Sequence, residues 1–166
     1  MKKIFFALLL VCIATQSFSQ DEQSKASKHE IKLNAVLTLA GIPEVSYEYL
    51  INEESSMGVS VLFALDDYAY DFALTPYYRF YFGKKPAAGF FVEGFGMLNI
   101  GEGDSYDGSN FSPTETDFAL GLALGAKFLT KNEFIFEIYF GAGRNLFNDN
   151  SIDAVPRVGL SIGKRF

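Results

Sequence analysis

Cys12 and His29 are the single cysteine and the single histidine of this chain. Nucleophilic hydrolysis needs a nucleophile, a base and a group that orients the base, all within hydrogen-bond reach. Cys12 lies in an apolar N-terminal stretch and His29 in a polar leader, so the sequence offers no such set. No enzyme activity and no cofactor are expected. The acidic run Gly101-Glu102-Gly103-Asp104-Ser105-Tyr106-Asp107-Gly108 lacks the Asp spacing of an EF-hand. Its glycines lack the strand–turn–helix context of a nucleotide loop. It reads as a solvated acidic loop. Tyr77 to Phe82 is rich in aromatic residues, but a base-stacking platform needs basic surroundings, and Arg79 is the one base there.

The chemistry that the spacing does support is ion pairing. Lys32, Glu48, Arg79, Glu93, Asp117, Lys127, Glu137, Arg157 and Arg165 fall on one parity of successive period-two segments. Four acids and five bases are near balance, and small residues share their face: Gly121, Ala123, Gly125, Gly141, Gly143, Gly159, Ser161 and Gly163. If that face is enclosed, the charges must pair, because an unpaired buried charge is costly. The small residues would make room for the long charged ones.

Successive strand side chains point to opposite faces, so strands must hold these residues. Eight are predicted, at about 30–40, 45–51, 57–66, 71–82, 90–100, 116–129, 134–144 and 154–166. In the first, Ile31, Leu33, Ala35, Leu37 and Leu39 alternate with Lys32, Asn34, Val36 and Thr38. In the sixth, Phe118, Leu120, Leu122, Leu124, Ala126 and Phe128 oppose Asp117, Gly121, Gly125 and Lys127. Tight turns follow the second, fourth and sixth strands, and long polar loops, 101–115 and 145–153, follow the fifth and seventh. Pro76 removes a ladder donor inside the fourth strand, so a bulge is expected there. The fold class is all-β, an eight-stranded antiparallel up-and-down barrel.

The N-terminus lies outside that fold. Lys2 and Lys3 precede the short apolar run Ile4–Ala14, and Ser17-Phe18-Ser19 offers a cleavage site before Gln20. This is the pattern of a secretory signal peptide over 1–19, too short an apolar run to span a bilayer. Residues 20–29 read as a flexible leader and 30–166 as the barrel domain. Without Cys12 the mature chain has neither a disulfide framework nor a thiolate metal site. The whole chain carries −6; without Lys2 and Lys3 its 14 basic residues fall to 12 against 20 acidic, a net of −8. That balance argues against nucleic acid as a partner.

A soluble barrel and a membrane barrel share this alternation but reverse its faces. Two features favour the membrane form. The charged parity suits a narrow lumen. On the other parity, Phe80, Phe82, Phe90, Phe128, Phe134, Phe136 and Phe166 gather at one end, as an interfacial aromatic girdle would. The alternative is a soluble periplasmic barrel that binds a lipid or small apolar ligand, with the Ile31/Leu33/Leu37 face inside.

The closing segment, Arg157-Val-Gly-Leu-Ser-Ile-Gly-Lys-Arg-Phe166, has one apolar face and ends on an aromatic residue. With the signal ending Ser-Phe-Ser-Gln and the period-two strands, the chain resembles the small eight-stranded bacterial outer-membrane β-barrel proteins, the porin-family group, over residues 30–166. It departs from the family's pattern at Lys164. The resemblance implies Sec export to the outer membrane, contact with its lipid, and a barrel-assembly signal at Gly159, Ile162 and Phe166 read by the assembly machinery. The lipid-modifying enzymes built on small barrels resemble a Ser/His/acid arrangement that this chain lacks. A monomer is expected, with a structural or surface-interaction role and any extracellular partner held by loops 101–115 and 145–153.

Overall fold

The computed structural model describes residues 27–65, 71–102, 114–146 and 154–166. The strands are β1 (His29–Asn34), β2 (Glu44–Leu50), β3 (Ser55–Phe63), β4 (Phe72–Tyr81), β5 (Gly89–Glu102), β6 (Thr114–Leu129), β7 (Phe134–Asn145) and β8 (Ala154–Arg165). A short helix, α1 (Ala35–Leu39), stands between β1 and β2. Each strand pairs antiparallel with the next, and β1 returns to β8 through Glu30↔Arg165 to Asn34↔Ser161, so the sheet closes. Closure leaves no open sheet edge along the paired length.

The faces are reversed relative to a soluble barrel. Lys32, Glu48 and Arg79 are buried, whereas Leu122 is 66% exposed, Phe140 64% and Ile31 42%. The Ile31 face therefore points outward, which overturns the soluble alternative with that face inside. Phe80, Phe82, Phe90, Phe128, Phe134, Phe136 and Phe166 are all exposed around the tight-turn end, and Phe82 packs with Phe80 and Phe90 at ring separations of 6.1 and 6.3 Å.

Three expectations need correction. The first strand stops at Asn34 instead of running to residue 40. Beyond Asn34 the alternation weakens, with Val36 standing where a polar residue should, so the strand face is poorly specified there. Asn34 instead caps a helix: its Oδ1 accepts the Leu37 N–H at 3.4 Å, and its carbonyl accepts the Thr38 hydroxyl at 2.6 Å. At the other end Gly41 takes φ 88°. The Ile42 N–H reaches the Leu37 carbonyl at 2.8 Å and the Gly41 N–H the Thr38 carbonyl at 3.2 Å, a Schellman closure.

The second correction concerns Pro76, where no bulge forms. Leu74↔Leu98 and Tyr77↔Phe95 are three residues apart on both strands, so neither strand gains a residue. The β4–β5 ladder lapses over Thr75 and Pro76 and resumes in the same register, while Pro76 still opposes Val59 of β3 and lies exposed on the outer face. Third, the turn expected over 52–56 is shorter. Asn52 Oδ1 accepts the Glu54 N–H and the Ser55 hydroxyl, both at 2.9 Å, and β3 begins at Ser55. The signal segment, the leader up to residue 26, and most of the expected outer loops (103–113 and 147–153) lie outside the described residues.

Candidate functional site

The site is the lumen. Its wall is made possible by glycines that sit directly across from aromatic residues of the neighbouring strand. Gly58 pairs with Tyr77, Gly121 with Phe95, Gly125 with Phe91, and Gly159 with Tyr139. A Cβ added at any of these four glycines would lie 2.4 Å from the ring Cζ of its partner. The rings therefore lie flat over the neighbouring strand rather than projecting to the axis. Cations then sit over the rings: the Arg79 guanidinium is 4.3 Å from the Phe91 centroid and 4.6 Å from that of Tyr77, and Lys127 Nζ is 4.6 Å from that of Tyr81.

Five glutamates fill the space between the cations. Glu48 is the hub. Its Oε1 accepts from Tyr81 at 2.5 Å, Ser56 at 2.6 Å and Lys127 at 2.7 Å; its Oε2 accepts from Arg79 at 3.0 Å and Tyr77 at 3.2 Å, and also from Lys32. Glu137 takes Lys32 at 2.8 Å and Arg79 at 2.9 Å. Lys127 reaches Glu30 at 2.7 Å, and Arg165 reaches the same carboxylate at 2.7 Å. Arg79 bridges to Glu93 at 2.7 Å, Glu93 to Arg157 at 3.0 Å, and Arg157 to Glu44 at 2.5 Å. These ten charged groups form one connected network of five cations and five carboxylates. All are buried. Charge balance and multiple donors per carboxylate are what make such burial tolerable.

The network ends at a plug. The β4–β5 connection folds under the barrel, burying Ala87 and Ala88. Arg165 holds it by donating to the Pro86 and Ala87 carbonyls at 3.1 and 3.0 Å, and the Ala87 N–H donates to the Glu53 carbonyl at 2.6 Å. Carboxylate oxygens of Glu30, Glu48 and Glu137 lie within 4.8 Å of one another, the kind of cluster that can hold a metal ion. Lys127 Nζ lies within 3.3 Å of all three and Lys32 also binds this set, so ammonium groups already occupy the cation position.

Eight of the nine charged residues singled out from the sequence join the network. Asp117 is buried on the same face of β6, and its Oδ1 accepts the Phe118 backbone N–H at 2.8 Å. Glu30 and Glu44 complete the charge balance and were not in the expected set. Glu30 shares a parity with Lys32, so the pattern already pointed to it. Glu44 shares one with Glu48 but lies just outside the strand expected over 45–51. Tyr77, Tyr81 and Tyr139 lie on the lumen parity too, yet parity alone does not distinguish a tyrosine that binds carboxylate from one that fills space.

The terminal residues divide. Gly159 faces the lumen under Tyr139, and Ile162 faces outward. Phe166 and His29 exchange backbone hydrogen bonds of 3.1 and 2.8 Å at the closing seam, with their rings stacked at 5.9 Å.

A barrel with an apolar exterior and a paired-charge interior defines the class: a β-barrel of membrane type, closed by eight strands. Comparison with solved structures agrees. The chain resembles the N-terminal β-barrel domain of Pseudomonas aeruginosa OprF, with a TM-score of 0.65 at 14% identity over 84% of this chain and 98% of that one. A second resemblance is to the Yersinia pestis outer membrane protein Ail in a phospholipid bilayer nanodisc, TM-score 0.46, 17% identity, 84% and 99% coverage. No family model and no curated protein matches the chain by sequence. The fold is that of the small eight-stranded outer-membrane β-barrels.

Proposed function

We propose that the protein is an integral protein of the bacterial outer membrane with a structural or surface-interaction role, and that its barrel does not pass solutes. The observation that carries this is the inversion of the wall. Lipid satisfies an apolar exterior, and only a closed barrel lets strands cross it. The ion-pair network across the lumen argues against a general pore, since an eight-stranded barrel is just wide enough for side chains. The lone histidine, bonded through Nδ1 to the Tyr47 hydroxyl at 2.6 Å near the seam, supports a non-enzymatic reading.

In this reading the tight-turn end and the plug face the periplasm. Residues 1–19 direct Sec export and are cleaved off near Ser19/Gln20. Gly159, Ile162 and Phe166 serve the assembly machinery, the barrel is a monomer in lipid, and the β5–β6 and β7–β8 connections carry any extracellular contact. Fractionation with heat-modifiable gel migration tests it. The barrel should sediment with the outer membrane and migrate faster unboiled than boiled. Recovery as a soluble periplasmic monomer would overturn the proposal.

A further inference from the structure

The charge network does not fill the whole lumen. Toward the loop end Ala73, Met97, Ala119 and Val155 form a buried apolar cluster with Leu62 packed against them, and buried Asn99, Asp117 and Asn145 lie beside it. A cavity of about 180 Å³ remains, lined by Leu37, Ile42, Leu62, Ala73, Met97 and Val155 together with residues of β8. Glu44 and Arg157 also line it, so the first ion pair of the network bounds the apolar space.

This cavity reaches the barrel wall. β1 pairs with β8 only as far as Asn34↔Ser161, while β8 runs on to Ala154, so the stretch Leu160–Ala154 has no β1 partner. Its exposed edge is handled in ways typical of an unpaired strand. Pro156 removes an edge donor, and the Asn34 side chain donates to the Val158 carbonyl at 3.2 Å. Helix α1 packs against β8 in place of a strand. Pro156 and Val158 expose their side chains on the outer face, yet both line the cavity, as do Leu37 of α1 and Ile42 just after it. The helix leaves Val36 and Leu39 exposed, Leu39 at 89%.

We propose that this cavity binds an uncharged hydrocarbon group that enters through the seam between α1 and β8. An apolar cavity of about 150 Å³ stays dry and accepts a benzene-sized molecule; this one is comparable in size, and its lining is apolar apart from the mutually paired Glu44 and Arg157. It is a dead end, because the Glu44–Arg157 pair closes the way to the rest of the lumen. The hydrocarbon comes either from a membrane acyl chain or from a small apolar solute.

Methionine methyl signals separate these sources and test the site. Met97 is buried beside the cavity, and Met57 is half-exposed on the outer face, an internal control. The full chain, labelled with [13C-methyl]methionine, is placed in phosphatidylcholine nanodiscs. Benzene should shift the Met97 methyl saturably while leaving Met57 without a saturable response. Nanodiscs carrying doxyl-labelled acyl chains should broaden Met57 in any case; broadening of Met97 that Ala73→Leu removes assigns the acyl-chain source, and a benzene response without it assigns a free solute. Ala73→Leu, which fills the cavity, should weaken the Met97 response at least about tenfold. Absence of both responses at Met97, a benzene response that never saturates, or one that survives unchanged in a folded Ala73→Leu barrel would each overturn the proposal. The benzene arm also works in detergent, so it does not depend on the outer-membrane assignment.

Discussion

Glu48→Gln isolates the role of charge in the lumen with almost no change of shape. Glu48 accepts from three cations and three hydroxyls. The substitution leaves five cations facing four glutamates, and one of the two oxygens becomes a donor aimed at groups that can only donate or prefer to. Breaking a buried pair by removing one partner typically costs about 3–5 kcal/mol. Lys32, Arg79 and Lys127 each keep another carboxylate here, so the lower end, ~3 kcal/mol, is expected. That is roughly two powers of ten in the folding equilibrium. With urea slopes of about 1–3 kcal/mol/M, the unfolding midpoint should fall by roughly 1–3 M. The assay is urea titration of the refolded barrel, followed by circular dichroism and by loss of heat-modifiable migration. Lys32→Met should partly rescue the variant, because the pair of changes restores neutrality at four and four, with a coupling of about 0.5–3 kcal/mol. A midpoint no different from that of Glu53→Gln, in an exposed turn, or strict additivity of the two changes, would refute the idea that net charge governs lumen stability.

Other predictions follow from the wall and its ends. Leu122→Arg, at the middle of β6 on the outer face, should destabilise the barrel in vesicles by about 2–4 kcal/mol, and Phe128→Arg near the girdle by about 0–1 kcal/mol; equal effects in a denaturant titration would deny the depth gradient. Gly125→Val places a side chain 2.4 Å from the Phe91 ring and 2.6 Å from the Ile138 carbonyl, so refolding yield should drop and stability fall by at least about 1–3 kcal/mol. Arg165→Ala releases the Pro86 and Ala87 carbonyls, and trypsin should then cut after Lys84 at least about tenfold faster, read by mass spectrometry of the folded protein.

The parity of the chain revealed the strands and the charged interior because both are period-two properties of single strands. Lys127 and Glu137, for example, share a lumen assignment for this reason, and the register places them directly opposite. What parity leaves open is anything set by a competing local interaction. The helix after Asn34 is such a case: an Asn N-cap and a Gly at position 41 frame it, but an alternating Ile31-to-Leu39 pattern masks the frame. Pro76 is another. A proline inside a closed sheet must remove a ladder donor, but whether the strand bulges or merely skips a step depends on the neighbour. Gly94 and Gly96 on β5 lie near that position, and the register there is unbroken. Glu44 falls outside the expected strand through a boundary one residue off, not through its chemistry.

The arrangement of glycine, ring and cation links wall geometry to charge. A ring laid across a neighbouring glycine turns its negatively polarised face toward the axis, where a guanidinium can sit. Arg79 uses Phe91 and Tyr77 in this way while its donors go to Glu48, Glu93 and Glu137. Tyr77 and Tyr81 also spend their hydroxyls on Glu48. The same side chains thus line the wall, support the cations and satisfy the carboxylate at the centre. A Cβ at Gly58 or Gly125 would tilt a ring inward and move a cation off its carboxylates, so the small residues on the lumen parity are as much a part of the ion-pair network as the charges. Beyond Phe95 the wall facing the loop end carries Ala73, Met97, Ala119 and Val155 instead of a ring and a cation, and it is there that the lumen leaves a cavity.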